Sequence, residues 1–236
     1  MNTTPSPAFA ENALDRADHL RTDPEMFGSL MRQETSKCLL FASGDILSND
    51  IGDIEWVSPS SLRFLPVLET IFLGLENGEM RYAISLNGSP DDFDGMFKNG
   101  KFREVRATAM KLSAFSGNTS HPSLGVIAQA KSMLSWHESH GFCAKCGAKT
   151  NIIKAGYERT CPECDTNHFP RTDPVVIMLV TNDDQVLMGR GPHFPPNVFS
   201  ALAGFMEPGE TIEAAVARET FEEASIETGT VQYITS

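Results

Sequence analysis

The sequence predicts an α+β fold in three parts: an N-terminal mixed α/β domain, a small cysteine-knuckle module, and a C-terminal α/β unit ending on an acidic helix. Three observations carry the prediction. Residues 28–115 alternate short apolar runs with Gly, Asn and Asp turn signals. Two Cys-x2-Cys pairs follow. A strand–turn–strand pattern from Val175 then leads into a helix with Glu219, Glu222 and Glu223 at relative positions 0, 3 and 4.

Taken in order, residues 1–27 are rich in Pro, Ser, Thr and Asp and read as a flexible leader. Residues 28–122 form the mixed α/β domain. Its strand candidates are Lys37–Ala42, Leu62–Pro66, Thr70–Leu75 and Met80–Ser85, separated in part by turn signals at Gly44-Asp45, Asn77-Gly78 and Asn87-Gly88. Phe102–Leu112 reads as a helix, and Arg103 and Arg106 on it are surface cations, with phosphate contact the weaker reading. Residues 116–122 are a Gly/Ser/Asn-rich connection. Residues 123–140 are a connecting helix that buries Leu124, Ile127, Ala128 and Leu134.

The knuckle module spans 141–169. Cys143 and Cys146 are separated by fourteen residues from Cys161 and Cys164, close to the spacing of a four-thiolate zinc ribbon. Gly147 and Pro162 suit tight chelating turns. Four thiolates close a tetrahedral site, so one structural Zn²⁺ per chain is expected. Iron satisfies the same ligands but offers no link to the acidic helix. Disulfides are disfavoured, because the sequence shows no secretory signal and Cys38 would be left over. His137, His140 and His168 read as surface or packing residues.

Residues 170–236 form the C-terminal unit. Val175–Thr181, the turn Asn182-Asp183-Asp184 and Gln185–Gly189 have hairpin spacing. Gly204 and Pro208-Gly209 punctuate a loop, and Thr211 is placed to cap a helix opening at Ile212. Ile212, Ala215 and Val216 anchor that helix. Its three glutamates share one face near the C-terminal end, where the macrodipole disfavours anions. A solvated acidic face is the bland reading. A hard divalent cation, Mg²⁺ or Mn²⁺, is the physical reason for such crowding, and it points to chemistry on phosphates.

The stretch Gly204-x5-Glu210-x7-Arg218-Glu219-Thr220-Phe221-Glu222-Glu223 resembles the Nudix box, G-x5-E-x7-R-E-U-x-E-E-x-G-U. Thr220 replaces the usual aliphatic, and Ser225 replaces the second Gly. With Trp136-His137, the four cysteines and His168-Phe169-Pro170-Arg171-Thr172-Asp173-Pro174, the chain resembles the zinc-ribbon NADH pyrophosphatase (NAD diphosphatase) branch of the Nudix hydrolases. This implies an α/β/α sandwich for residues 170–236. The family continues with a Gln-Pro-Trp-Pro-Phe-Pro run after a strand like Tyr233–Ser236, so a C-terminally incomplete sandwich is expected.

The resemblance implies hydrolysis of the NAD(H) diphosphate to NMN(H) and AMP, with NAD-capped RNA ends as a further substrate. Glu219, Glu222 and Glu223 would be catalytic and, with the backbone carbonyl of Ala203, would hold Mg²⁺ or Mn²⁺. Glu210 and Arg218 would brace the loop and helix, and Phe169 would lie against the dinucleotide, a core role being an equal reading. A homodimer is implied. Another nucleoside diphosphate substrate such as ADP-ribose, or a non-catalytic binding module, stays open.

The formal charge of −12 argues against a phosphate-backbone track. In the ribbon, Lys145, Lys149, Lys154 and Arg159 are opposed by Glu158, Glu163 and Asp165. The longest apolar run, Val175–Val180, is too short to span a bilayer. A cytoplasmic protein without membrane partners is expected.

Overall fold

A computed structural model describes residues 7–116 and 121–236, with side chains at 115 and 116 left out. The first six leader residues and positions 117–120 of the expected connection lie outside this range. The chain divides into two compact units, one running to Pro170 and one spanning Arg171–Ile234.

In the first unit, α1 (Pro24–Met31) starts behind Asp23, whose carboxylate accepts from the Met26 N–H at 2.9 Å. A five-stranded sheet follows, built from β1 (Lys37–Ala42), β2 (Asp45–Ser48), β3 (Val67–Glu76), β4 (Glu79–Leu86) and β5 (Lys101–Arg103) in the order β3-β4-β1-β2-β5. β1 pairs in parallel with β4, and the other pairs are antiparallel. Helices α2 (Val105–Ser116) and α3 (Pro122–Ser139) complete the layer.

Both faces of the central strands are covered, which explains the unbroken apolar run of β1. Leu39, Phe41, Ile71, Leu73 and Ala83 meet Leu112, Leu124, Ile127, Ala130 and Leu134 on one side. Cys38, Leu40, Phe72, Tyr82 and Ile84 form the other cluster, with Phe27 and Leu30 against it. Cys38 is fully buried, and desolvation pushes its thiol up to about 12.

Several expectations are corrected here. The leader is packed from Leu14 on: Leu14, Ala17 and Leu20 are buried, and Asp15 exchanges backbone hydrogen bonds with Leu75 on the edge of β3. Residues 62–66 form no strand, because Pro59 and Pro66 bracket a 3₁₀ turn (Pro59–Leu62) and an irregular loop. The helix expected from Phe102 begins at Val105. Lys101–Arg103 is recruited as an edge strand by β2, and Glu104 caps the helix by accepting from the Arg106 and Ala107 N–H groups. Arg103 is committed to Ser48, Asn49 and Asp50. The helix over 123–140 belongs to the sheet's core, although Ala128 is only half-buried.

The cysteine module lies within this first unit as a three-stranded sheet of β6 (Asn151–Ile153), β7 (Glu158–Thr160) and β8 (Asn167–His168). The turn between β6 and β7 is pressed into the larger sheet. A Cβ on Gly156 would crowd Ile71, and Tyr157 packs against both core clusters. The Tyr157 hydroxyl accepts from Gln129 at 2.5 Å, and Arg21 stacks over the Tyr157 ring at 3.5 Å.

The second unit contains β9 (Val175–Met178), the hairpin β10 (Thr181–Asn182) and β11 (Gln185–Val186), β12 (Leu202–Phe205) and α4 (Ile212–Ala224). β12 runs antiparallel to β9, and α4 covers one face of the pair through Val176, Met178 and Ala215. The expected strand over 175–181 breaks after Met178. Among the described residues, no helix is long and apolar enough to cross a membrane.

Candidate functional site

Two knuckles of matching design present the cysteines. In the first, the Gly147 N–H returns to the Cys143 carbonyl at 2.9 Å; in the second, the Asp165 N–H returns to the Cys161 carbonyl at 3.0 Å. Both turning residues are left-handed, with φ of 79° and 55°. Gly147 meets this demand freely, and Asp is among the few side chains that tolerate it. The four sulfurs lie within 4.8 Å of one another, with Cys143–Cys164 at 3.7 Å and Cys146–Cys161 at 3.4 Å. A tetrahedral zinc–thiolate site places its sulfurs roughly 3.8 Å apart, given Zn–S bonds of about 2.3 Å. The donor set fits a structural zinc.

The sulfurs are also supported from outside. The Thr166 hydroxyl and backbone N–H draw the Cys164 thiol down to about 6, which favours the ligating thiolate. The Lys145 N–H lies 3.4 Å from Cys143 Sγ, and His168 Nε2 lies 3.3 Å from the same sulfur. Such partners orient thiolates and moderate their charge. Sequence reasoning misses Thr166 and reads His168 only as a surface or packing residue, whereas it lies against a cysteine sulfur. His137 is a core residue: its Nε2 lies 2.8 Å from the Gly156 carbonyl.

On α4 the local design matches its sequence signals. Thr211 caps the helix, its hydroxyl accepting from the Ala214 N–H at 3.2 Å. Thr220 is fully buried in the aliphatic slot, its hydroxyl satisfied by the Val216 carbonyl at 2.7 Å. Ser225 ends the helix at φ 55°, the left-handed position where glycine costs least. Ala215 is buried, whereas Ile212 is exposed and Val216 half-buried.

Glu210 and Arg218 form the brace. The Arg218 Nε and Nη2 donate to the two Glu210 oxygens at 3.1 and 2.7 Å, and Nη2 also reaches the Phe205 carbonyl at 2.9 Å. The Glu207 N–H adds a bond to Glu210 at 2.6 Å. Arg218, and then that N–H, hold the Glu210 carboxyl below its usual range. Reciprocally, Glu210, followed by Glu219, raises the Arg218 guanidinium.

The three glutamates differ. The Glu219 side chain is 14% exposed and Glu222 is 56% exposed. Glu219 lies directly against Gly204 on β12, where a Cβ would overlap its carboxylate. That cradle explains the glycine: only a missing side chain lets the carboxylate rest on the strand. Nη1 of Arg218 joins Glu219 and Glu222, at 2.9 and 3.0 Å. Glu223 is exposed on the same helix. Among the described residues, only the cysteines bring three or more His, Cys, Asp or Glu donors within metal-sharing distance. Ala203 is exposed on β12, opposite Ile177. Phe169 is 62% exposed, so it is no core residue.

Family comparisons agree with this arrangement. The NUDIX domain matches residues 171–236, the NADH pyrophosphatase zinc ribbon domain 138–169, and the NADH pyrophosphatase-like rudimentary NUDIX domain 35–136. The NAD-capped RNA hydrolase NudC of Mycobacterium tuberculosis (strain H37Ra) is 31% identical over 242 residues, covering 98% of this chain and 71% of the relative. Nudix hydrolase 19, chloroplastic, of Arabidopsis thaliana is 35% identical over 215 residues, or 84% of this chain and 48% of the relative. The NAD-capped RNA hydrolase NUDT12 of Homo sapiens is 49% identical over 120 residues, or 47% of this chain. The chain spans only 26% of the length of that human relative. The matched domains, their order and the relative aligned along nearly the whole chain agree: this chain belongs to the zinc-ribbon NADH pyrophosphatase family of the Nudix superfamily.

Proposed function

We propose that the protein hydrolyses the diphosphate bond of NAD(H) to NMN(H) and AMP, and that NAD-capped RNA ends enter the same site. The observation that carries this reading is the Glu219 carboxylate, on the acidic face of a braced Nudix helix, seated on Gly204. The NADH pyrophosphatase ribbon in the same chain, and relatives named NAD-capped RNA hydrolases, support the choice of substrate.

Glu219, Glu222, Glu223 and the Ala203 carbonyl are hard oxygen donors suited to Mg²⁺ or Mn²⁺. Once bound, such an ion neutralises diphosphate oxygens and acidifies a coordinated water. The chain's residues supply the rest. Gly204 keeps Glu219 on the strand, the Glu210–Arg218 fork fixes the loop against the helix, and a carboxylate of the trio accepts the water's proton. The water oxygen joins one phosphorus as the bridging P–O bond breaks, so one phosphate leaves on each nucleotide. Phe169 offers an exposed ring for a base of the dinucleotide. The zinc stays structural, since four thiolates leave no open position. The family resemblance supports a homodimer, and the thiolates needed for zinc support a cytoplasmic setting.

The test is Mn²⁺-dependent turnover of NADH and NAD⁺ by zinc-loaded protein from the full reading frame, with products separated chromatographically. Equal amounts of NMN(H) and AMP are expected. Turnover of ADP-ribose alone would move the assignment to another nucleoside diphosphate. Folded, zinc-loaded protein inert towards both would overturn the catalytic reading.

A further inference from the structure

Every N–H of the Arg218 guanidinium is in use. Nε and Nη2 spend three on Glu210 and the Phe205 carbonyl, and Nη1 divides its two between Glu219 and Glu222. The two sides differ in security. Glu210 is itself pinned by the Glu207 N–H, so the fork onto it is held at both ends. On the other side, the Nη1 contacts reach two separate side chains, and the Glu222 carboxylate is mostly in water.

We propose that Arg218 is a resident counter-ion of the active-site helix: Nη1 occupies the space between Glu219 and Glu222 that a divalent cation would need. Loading the site then exchanges these two ion pairs for ligation, while the Glu210 fork stays closed. The inference rests on the reading of the glutamate trio as a metal site. Charge supplies the reason for the device. Glu219, Glu222 and Glu223 sit near a helix C-terminus, where the macrodipole and mutual repulsion both oppose three anions. Before loading, one guanidinium relieves two of them and keeps the helix ordered. The pair with Glu222 is largely solvated on the carboxylate side and therefore individually weak. The pair with Glu219 would be replaced by a stronger ligand bond, so a divalent ion can displace Nη1 without unseating the brace. The planar fork is essential, because only a guanidinium holds Glu210 with two nitrogens while a third faces the trio.

The test is Mn²⁺ binding to the zinc-loaded protein, read by the loss of the free-ion electron paramagnetic resonance signal, for wild type and Arg218→Lys. Lysine preserves the charge but cannot serve both sides, so a shift cannot be ascribed to long-range repulsion. We expect Mn²⁺ to bind the variant roughly fivefold more tightly. Equal or weaker binding by a folded variant would overturn the proposal and leave Arg218 a brace alone. A second measurement needs only wild type: Arg218 side-chain nitrogen resonances during Mg²⁺ titration. Nη1 should lose its restricted rotation as Mg²⁺ saturates, while Nε stays protected. Saturation sensed at the Glu219 carboxylate with Nη1 unchanged would also overturn it. Wild type that binds neither ion would sink the metal-site reading itself, and this inference with it.

Discussion

Arg159 donates from Nη1 to the Nδ1 of His137 at 2.8 Å, deep in the first unit. Arginine is always a donor, so Nδ1 must accept, and the ring is fixed as the Nε2–H tautomer that donates to the Gly156 carbonyl. Arg159 also reaches the Thr150 hydroxyl and carbonyl, at 2.7 and 3.1 Å. One imidazole thus ties α3 to the β6–β7 turn and to β7 of the zinc ribbon.

This arrangement makes stability depend on pH. Burial, reinforced by Arg159, pushes His137 down from 6.5 to about 4. Between these values the unfolded chain binds the extra proton, so stability is fully present above pH 6.5 and is lost as pH falls towards 4. The slope is at most about 1.4 kcal/mol per pH unit for one proton. Urea unfolding of zinc-loaded wild type and His137→Gln at several pH values checks this. Their stability difference should shrink as pH falls; a constant difference would refute the assignment.

Gly204→Ala would place a methyl group where the Glu219 carboxylate lies. The carboxylate must then move by about an ångström, a displacement that costs catalysis roughly a hundredfold. Steady-state kinetics with NADH should show the loss in kcat/KM. Zinc content should be unchanged, because the ribbon lies in the other unit.

Ser225→Gly should stabilise the second unit. Ser225 sits at φ 55°, and a Cβ in that region costs about 1 kcal/mol, partly offset by the greater freedom of an unfolded glycine. A gain of roughly 0.5 kcal/mol is expected in a denaturant titration that follows Tyr233. A loss would mean that the helix end is held by contacts of the serine side chain.

Zinc removal should lower the melting temperature of the first unit. A loss of even ~3 kcal/mol corresponds to roughly 6–12 °C for a unit of this size. Calorimetry with and without a strong chelator should show it, and restoring zinc should reverse it. A chelator-insensitive transition would mean that the ribbon folds independently of its metal.

Local signals proved readable where one segment settles its own structure. β1 begins and ends at Lys37 and Ala42 as its apolar run predicts, and α4 opens at Ile212 behind the Thr211 cap. Resemblance placed the brace at Glu210 and Arg218, and the structure forms that pair. The misses depend on distant partners. Lys101–Arg103 becomes a strand only because β2 offers an edge, and Leu14 is buried only because β3 and α3 receive it. Thr166, and His168 in a role beyond packing, come against cysteine sulfurs through folding of the knuckle, with no spacing rule to announce those contacts. The links from Arg218 to Glu219 and Glu222 depend on the rotamer that Arg218 adopts in the folded helix.

The turn that seats Gly156 on Ile71 carries a consequence for how the first unit answers its surroundings. Its five-stranded sheet contains no metal ligand, yet the loop plugging its edge is held in shape by four thiolates. By mass action, an ion that binds only the folded form lends its binding free energy to everything folded with it. The persistence of this sheet therefore tracks the free zinc activity around it, and a drop in that activity would be felt as unfolding far from any cysteine.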